Sequence, residues 1–138
     1  MFKKVLLSID AAVPAEASDL IHRASVLVEG WGAELHVCSM VPDVKMAIVG
    51  TQFSDGFEAK SLAAARTEVE QLCDAAEAKA EIQVRFGTVY DQVIRLADEI
   101  DANLIVVGGG REDLKDYLLG SNTARIVRHS DRSVMVLR

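Results

Sequence analysis

Residues 106–122 read VVGGGREDLKDYLLGSN, in which three consecutive glycines are followed by a charged stretch and then by a Gly-Ser pair. Gly108, Gly109 and Gly110 can adopt positive φ and let a ligand reach the main chain, because no Cβ stands in the way. Gly120 does the same further along, and Ser121 is a good N-cap for a helix opening at Asn122. Such a helix leaves its first amides unpaired, with partial positive charge. Phosphate is the ligand best matched to free amides, a hydroxyl and the neighbouring Arg111 or Lys115. A flexible turn followed by an ordinary capped helix accounts for the same residues, and the spacing leaves both readings open.

Two better-known phosphate motifs are excluded. No Gly-Lys-Ser/Thr is present, so this is not a P-loop, and the glycines lack the G-x-G-x-x-G spacing of a dinucleotide fingerprint. The other residue placed to do chemistry is Asp10, which ends the apolar run KKVLLSI.

These residues must be positioned by the elements around them. Residues 3–9 predict a strand. From Pro14, apolar residues at 17, 20, 21, 24, 27 and 28 predict a helix that stops at Gly30 and Gly32. AELHVCSMV (33–41) predicts a second strand, and residues 42–56, without periodicity, a loop. Leu62, Ala65, Val69, Leu72 and Ala76 mark a long helix. EIQVRFG (81–87) alternates, which suits a strand at a sheet edge. Thr88 to Ile100 predicts a helix, and NLIVV (103–107) a strand apolar on both faces, hence central in a parallel sheet. Ser121 to His129 predicts the last helix and SVMVL (133–137) the last strand. Regular alternation of strand and helix predicts one α/β domain over residues 1–138, an open parallel five-stranded sheet covered on both faces. If the strand order is 3-2-1-4-5, Asp10 and Gly108 leave neighbouring strands at the switch point, where ligands of such sheets bind.

The chain has 138 residues, half of them hydrophobic, and a formal charge of −6. A surface of that sign repels nucleic acid and anionic membrane. The charge is uneven: residues 108–138 hold six Lys/Arg against four acids, a net +2, leaving −8 on the first 107. A mildly basic end on an acidic chain suits a small anionic ligand, although solvated helix faces would give the same count. Cys38 and Cys73 predict small buried side chains, with neither a disulfide scaffold nor metal-ligand spacing. MFKKVLLSID is too short for a signal peptide and no run approaches a membrane span, so a cytoplasmic protein is expected.

The segment DANLIVVGGGREDLKDYLLGSNTARIVRHSDRSVMVLR resembles the closing segment of the universal stress protein family. There an ADLIVVG strand leads to a glycine loop, LLLGS, a helix ending in RH and a last strand like PVLVV. VRFGTVYDQVIRLADEI and KKVLLSID resemble the family's preceding helix and its opening ILVPVD. The resemblance covers the whole chain, weakest over 42–60. It implies a parallel five-stranded sheet of Rossmann-like topology, a homodimer, and ATP binding in the members marked by G-x2-G-x9-G-[ST].

This chain departs from that pattern. Counting from Gly108, Arg111 stands at the second glycine with eight residues before Gly120. Counting back from Gly120, Gly110 fits and Val107 replaces the first glycine. The shorter loop with YLLGSN resembles the family's bacterial F/G-type branch. By position, the resemblance implies that Gly108, Gly110, Gly120, Ser121 and Asn122 hold phosphates and ribose, with Arg111 adding charge. Asp10 would stand beside the nucleoside, and the backbone of Met40 would meet the adenine edge. Ser8 replaces a proline often found before this aspartate. Mg²⁺ would be bound through the phosphates.

No residue set completes a catalytic centre. His129 most simply complements the negative end of the last helix, and His22 and His36 have no partner that the sequence names. The resemblance implies at most slow ATP hydrolysis or self-modification. The expected role is a stress-response binding and signalling module. The alternatives are a dimeric interaction protein without nucleotide and a slow, self-modifying ATPase. The apolar last strand, with Val134, Met135 and Val136, is expected to pair with its mate in the dimer, unless residues 42–56 or the long second helix cover that edge.

Overall fold

The computed structural model describes residues 1–42, 55–109 and 119–138. In chain order the elements are β1 (Lys4–Ser8), α1 (Pro14–Trp31), β2 (Glu34–Val41), α2 (Asp55–Ala75), β3 (Glu81–Phe86), α3 (Val89–Ile100), β4 (Leu104–Gly108), α4 (Ser121–His129) and β5 (Ser133–Leu137). Local chemistry sets several of these boundaries. Proline opens α1, where a missing N–H costs nothing. Gly32 closes it at φ 64°, with its amide donating back to the Glu29 carbonyl at 3.2 Å. Gly87, at φ 131°, turns the chain from β3 into α3. A Cβ there would stand 2.8 Å from Cγ of Gln92, so both conformation and space require glycine.

The five strands form one parallel sheet in the order β3-β2-β1-β4-β5, the order expected from the sequence. β1 lies at its centre: Leu6 is in register with His36 of β2 and with Ile105 of β4. Alternation along the strands divides the core in two. Val5, Leu7, Val37, Leu104 and Val106 pack beneath α1 and α2 with Leu20, Ile21, Ala24 and Val69. Leu6, Cys38, Ile105 and Val107 pack beneath α3 and α4 with Val93, Leu96, Ala97 and Ile126. Each fully buried Leu, Ile or Val contributes roughly 1.5–3 kcal/mol. At the opposite end from the glycines, the Asn103 carboxamide oxygen accepts from the amides of Lys3 and Lys4 at 3.1 and 3.0 Å, locking β1 to β4.

The main difference from the sequence reading lies in α2, which begins at Asp55 rather than beyond a loop ending at 56. Its first two turns present mostly exposed residues, so no apolar stripe marks them. The remainder of the expected loop, residues 43–54, lies outside the described residues. Among the described residues, no helix is long and apolar enough to cross a membrane.

Candidate functional site

Because β1 and β4 are neighbours, with Leu7 opposite Val106, the ends that carry Asp10 and Gly108 leave the sheet side by side. They open into a cleft of about 640 Å³, within the range of small-molecule pockets. Six of the residues singled out from the sequence line it: Ser8, Asp10, Met40, Val107, Gly108 and Asn122. Gly120 is buried at the entry to α4, and Ser121 is exposed as its first residue. Gly110 and Arg111 lie outside the described residues.

Each wall has a physical origin. Ile9 extends the ladder, its amide donating to the Cys38 carbonyl at 3.0 Å. The chain then turns at Asp10, whose Oδ1 accepts from the Ala12 amide at 2.9 Å while its carbonyl accepts from Val13 at 3.1 Å. This turn delivers the chain into α1, whose Glu16 and Leu20 form one side of the cleft. Ser61, Ala64, Ala65 and Glu68 of α2 form another, and they have no counterpart in the sequence reading.

The glycine segment works differently from its expected form. Neither Gly108 nor Gly109 has positive φ. Gly108 is small because α1 packs on it: a Cβ there would stand 3.0 Å from Cδ1 of Leu20 and 3.4 Å from Oε1 of Glu16. The Gly109 amide donates to the Leu137 carbonyl at 3.0 Å and the Gly120 amide to the Gly109 carbonyl at 3.2 Å, so neither is free. The N-cap of α4 is Gly120, not Ser121, and no side chain caps the helix. The amides of Ser121, Asn122 and Thr123 therefore have no intrahelical acceptor; the first such bond runs from Ala124 to Gly120.

Two side chains in that first turn have structural work the sequence reading missed. Thr123 is buried, and its hydroxyl donates to the Gly108 carbonyl at 2.9 Å, tying α4 to the end of β4. The Asn122 carboxamide oxygen accepts from the Tyr90 amide at 3.3 Å, which fixes the start of α3 against that of α4. Their only signal was a run of small polar residues after Gly120.

The polar side chains of the described lining are carboxylates, hydroxyls and the Asn122 carboxamide. Asp10, Glu16 and Glu68 line the cleft together with Ser8, Ser39 and Ser61, and no Lys or Arg among the described residues does. No group of three or more metal-ligating side chains occurs among the described residues. None of the histidines lines the cleft. His129 ends α4 beside Arg128, where a cation suits the helix dipole.

In the core beneath α3 and α4, Cys38 is fully buried, and burial pushes its thiol from an ordinary 9.0 up to about 12, against a weaker opposing pull from the Ser8 hydrogen bond. The folded chain thus holds this proton more tightly than the unfolded one. The stability this contributes is complete below pH 9 and is lost as pH rises toward 12. At pH 8 the native protein should leave Cys38 unlabelled by a thiol reagent that modifies it within minutes in denaturant. Peptide mapping of the labelled protein checks this, and rapid native labelling of Cys38 would contradict its burial.

An open, wholly parallel α/β sheet with helices on both faces and a cleft beyond the ends of its central strands defines the doubly wound α/β class. Within that class the chain belongs to the universal stress protein family, whose sequence profile matches residues 1–138. Universal stress protein G of Salmonella typhimurium is 26% identical over 143 residues, covering 100% of both chains. Universal stress protein G of Shigella flexneri is 42% identical over 55 residues, which cover 40% of this chain and 39% of that one. These relatives agree with the F/G-type branch. Among solved structures, a universal stress protein in complex with cAMP matches with a TM-score of 0.69 at 22% identity, over 99% of this chain and 97% of that one. The universal stress protein from Archaeoglobus fulgidus in complex with dAMP matches at 0.60 and 19% identity, over 99% and 98%. At these identities the likeness is one of fold.

Proposed function

We propose that residues 1–138 act as one nucleotide-binding unit, a cytoplasmic stress-response module that takes ATP in the cleft between the ends of β1 and β4. The observation that carries this reading is the meeting of a roomy cleft with the N-terminus of α4, whose first-turn amides have no intrahelical acceptor and so suit an anion. Similar folds in complex with cAMP and dAMP add support. In this reading Met40 offers backbone to the base and Asp10 accepts from the sugar. Ser121, with Gly120, Asn122 and the loop residues Gly110 and Arg111, surrounds the phosphates. Mg²⁺ joins through those phosphates, which supply most of its ligands. Nucleotide occupancy becomes a signal only if two states of the protein differ in affinity for it.

The sheet edges support a homodimer. Arg66 Nη1 donates to the Ile82 carbonyl at 3.0 Å and so occupies part of the β3 edge. α2 packs on β2 and β3, far from β5 in the strand order. Val134, Met135 and Val136 remain partly exposed on the terminal strand β5, open to a second copy.

Calorimetric titration with ATP, AMP and GTP tests the ligand. Saturable binding of one adenine nucleotide per chain, with GTP weaker, is expected. Absence of binding to all three would leave the dimer surface as the working part.

A further inference from the structure

We infer that Glu16 sets the charge selectivity of the cleft, so that without a divalent cation it takes a nucleoside or monophosphate ahead of a triphosphate. This inference rests on the nucleotide reading above and concerns which phosphate state the site prefers.

Glu16 lies in the first turn of α1, where the helix dipole favours a carboxylate without any cation. Its Oε1 reaches to 3.4 Å from the Cβ position of Gly108, so its charge sits beside the backbone that opens the glycine segment. Glu16 makes no ion pair among the described residues, and neither does Asp10, which lines the same cleft. Among the described residues the opposing attraction comes from the start of α4, equivalent to about half a positive charge, to which Arg111 of the proposed phosphate site would add one cation against the several charges of a triphosphate. A phosphate monoester can lean on that terminus. Each further phosphate adds negative charge near two fixed carboxylates, and the balance turns against binding unless Mg²⁺ neutralises the tail.

Glu16→Gln keeps size and shape and removes only the charge. Adenosine, AMP and ATP would each be titrated into the full chain and into this variant, in EDTA and then in Mg²⁺. In EDTA the parent chain should bind ATP more weakly than AMP. The substitution should tighten ATP about fivefold, roughly 1 kcal/mol at 1.4 kcal/mol per tenfold, and leave adenosine within about twofold. Mg²⁺ should shrink the gap between the two proteins. An unchanged ATP affinity in EDTA, or equal gains for ATP and adenosine, would overturn the role of Glu16 and leave nucleotide binding intact. No binding of any of the three by either protein would overturn the nucleotide reading and this inference together.

Discussion

Ser121→Glu should cost at least about tenfold in ATP affinity, or 1.4 kcal/mol, while leaving the fold as stable as before. Ser121 is exposed at the first position of α4, and no side chain caps that end. A carboxylate there gains from the helix dipole, by roughly 0.3–1 kcal/mol, so the melting temperature should hold or rise slightly. The same carboxylate repels a phosphate seated on the first-turn amides and competes for them. Stability and affinity are thus expected to move in opposite directions, which separates loss of a site from loss of structure. Adenosine, without phosphates, should lose far less than ATP. Thermal melting and calorimetry on one preparation give both readouts. A folded variant with unchanged ATP affinity would remove the phosphates from α4.

The charge logic of the cleft follows from where its residues come from. The expectation of an anion site rested on the glycines and the helix start at Ser121, with added support from the net +2 of residues 108–138, counted along the chain. In three dimensions, α1 and α2 bring Glu16 and Glu68 to the same cleft from the strongly acidic first part of the chain. A count along the sequence cannot see charges that the crossover connections carry in. In the proposed reading, the attraction for an anion comes, among the described residues, from backbone dipoles rather than from cationic side chains. Such a site should be sensitive to each added or removed unit of charge on ligand or protein.

How far the sequence was readable depended on the period of each signal. The strand order 3-2-1-4-5 was the natural choice from sequence because NLIVV is apolar on both faces and KKVLLSI is strongly apolar, as suits central strands, while EIQVRFG alternates as an edge strand does. The placing of Asp10 and Gly108 at one cleft followed from that order. The start of α2 was invisible, since its first two turns bury too little to leave a stripe. The cap of α4 was misassigned by one residue. Ser121 has the better capping side chain, yet Gly120 takes the extended conformation at φ −57°, ψ 154°, and places the serine inside the helix. Thr123, and the structural role of Asn122, could not be found by composition, because their hydrogen-bond partners lie 15 and 32 residues away. Gly108 was marked for positive φ and for ligand access to a bare backbone, and its φ is not positive. A Cβ at this position would crowd Leu20 of α1 at 3.0 Å, so helix packing favours a small residue there.

Leu6→Ala should lower stability by about 2–5 kcal/mol, the range for a leucine removed from a packed core. Leu6 is 0% exposed at the centre of the sheet, in register with residues of β2 and β4. It packs in the cluster under α3 and α4 with Val93, Leu96 and Ile126. Rigid neighbours on both strands limit collapse into the cavity, which favours the upper part of the range. At roughly 3–4 °C per kcal/mol for a chain of this length, the melting midpoint should fall by about 10–20 °C. Trp31, packed against Phe2 with ring centroids 5.2 Å apart, provides a fluorescence signal for urea unfolding. The midpoint should drop with the slope unchanged, and Val26→Ala, at a position 56% exposed, should stay within about 0.5 kcal/mol. Runs at two protein concentrations would expose any contribution from dimerisation, which makes the midpoint concentration-dependent. A loss below 1 kcal/mol for Leu6→Ala would mean that the sheet centre relaxes freely around the missing side chain. The ends of β1 and β4 would then lack the rigid floor that holds Asp10 and Gly108 at a fixed separation.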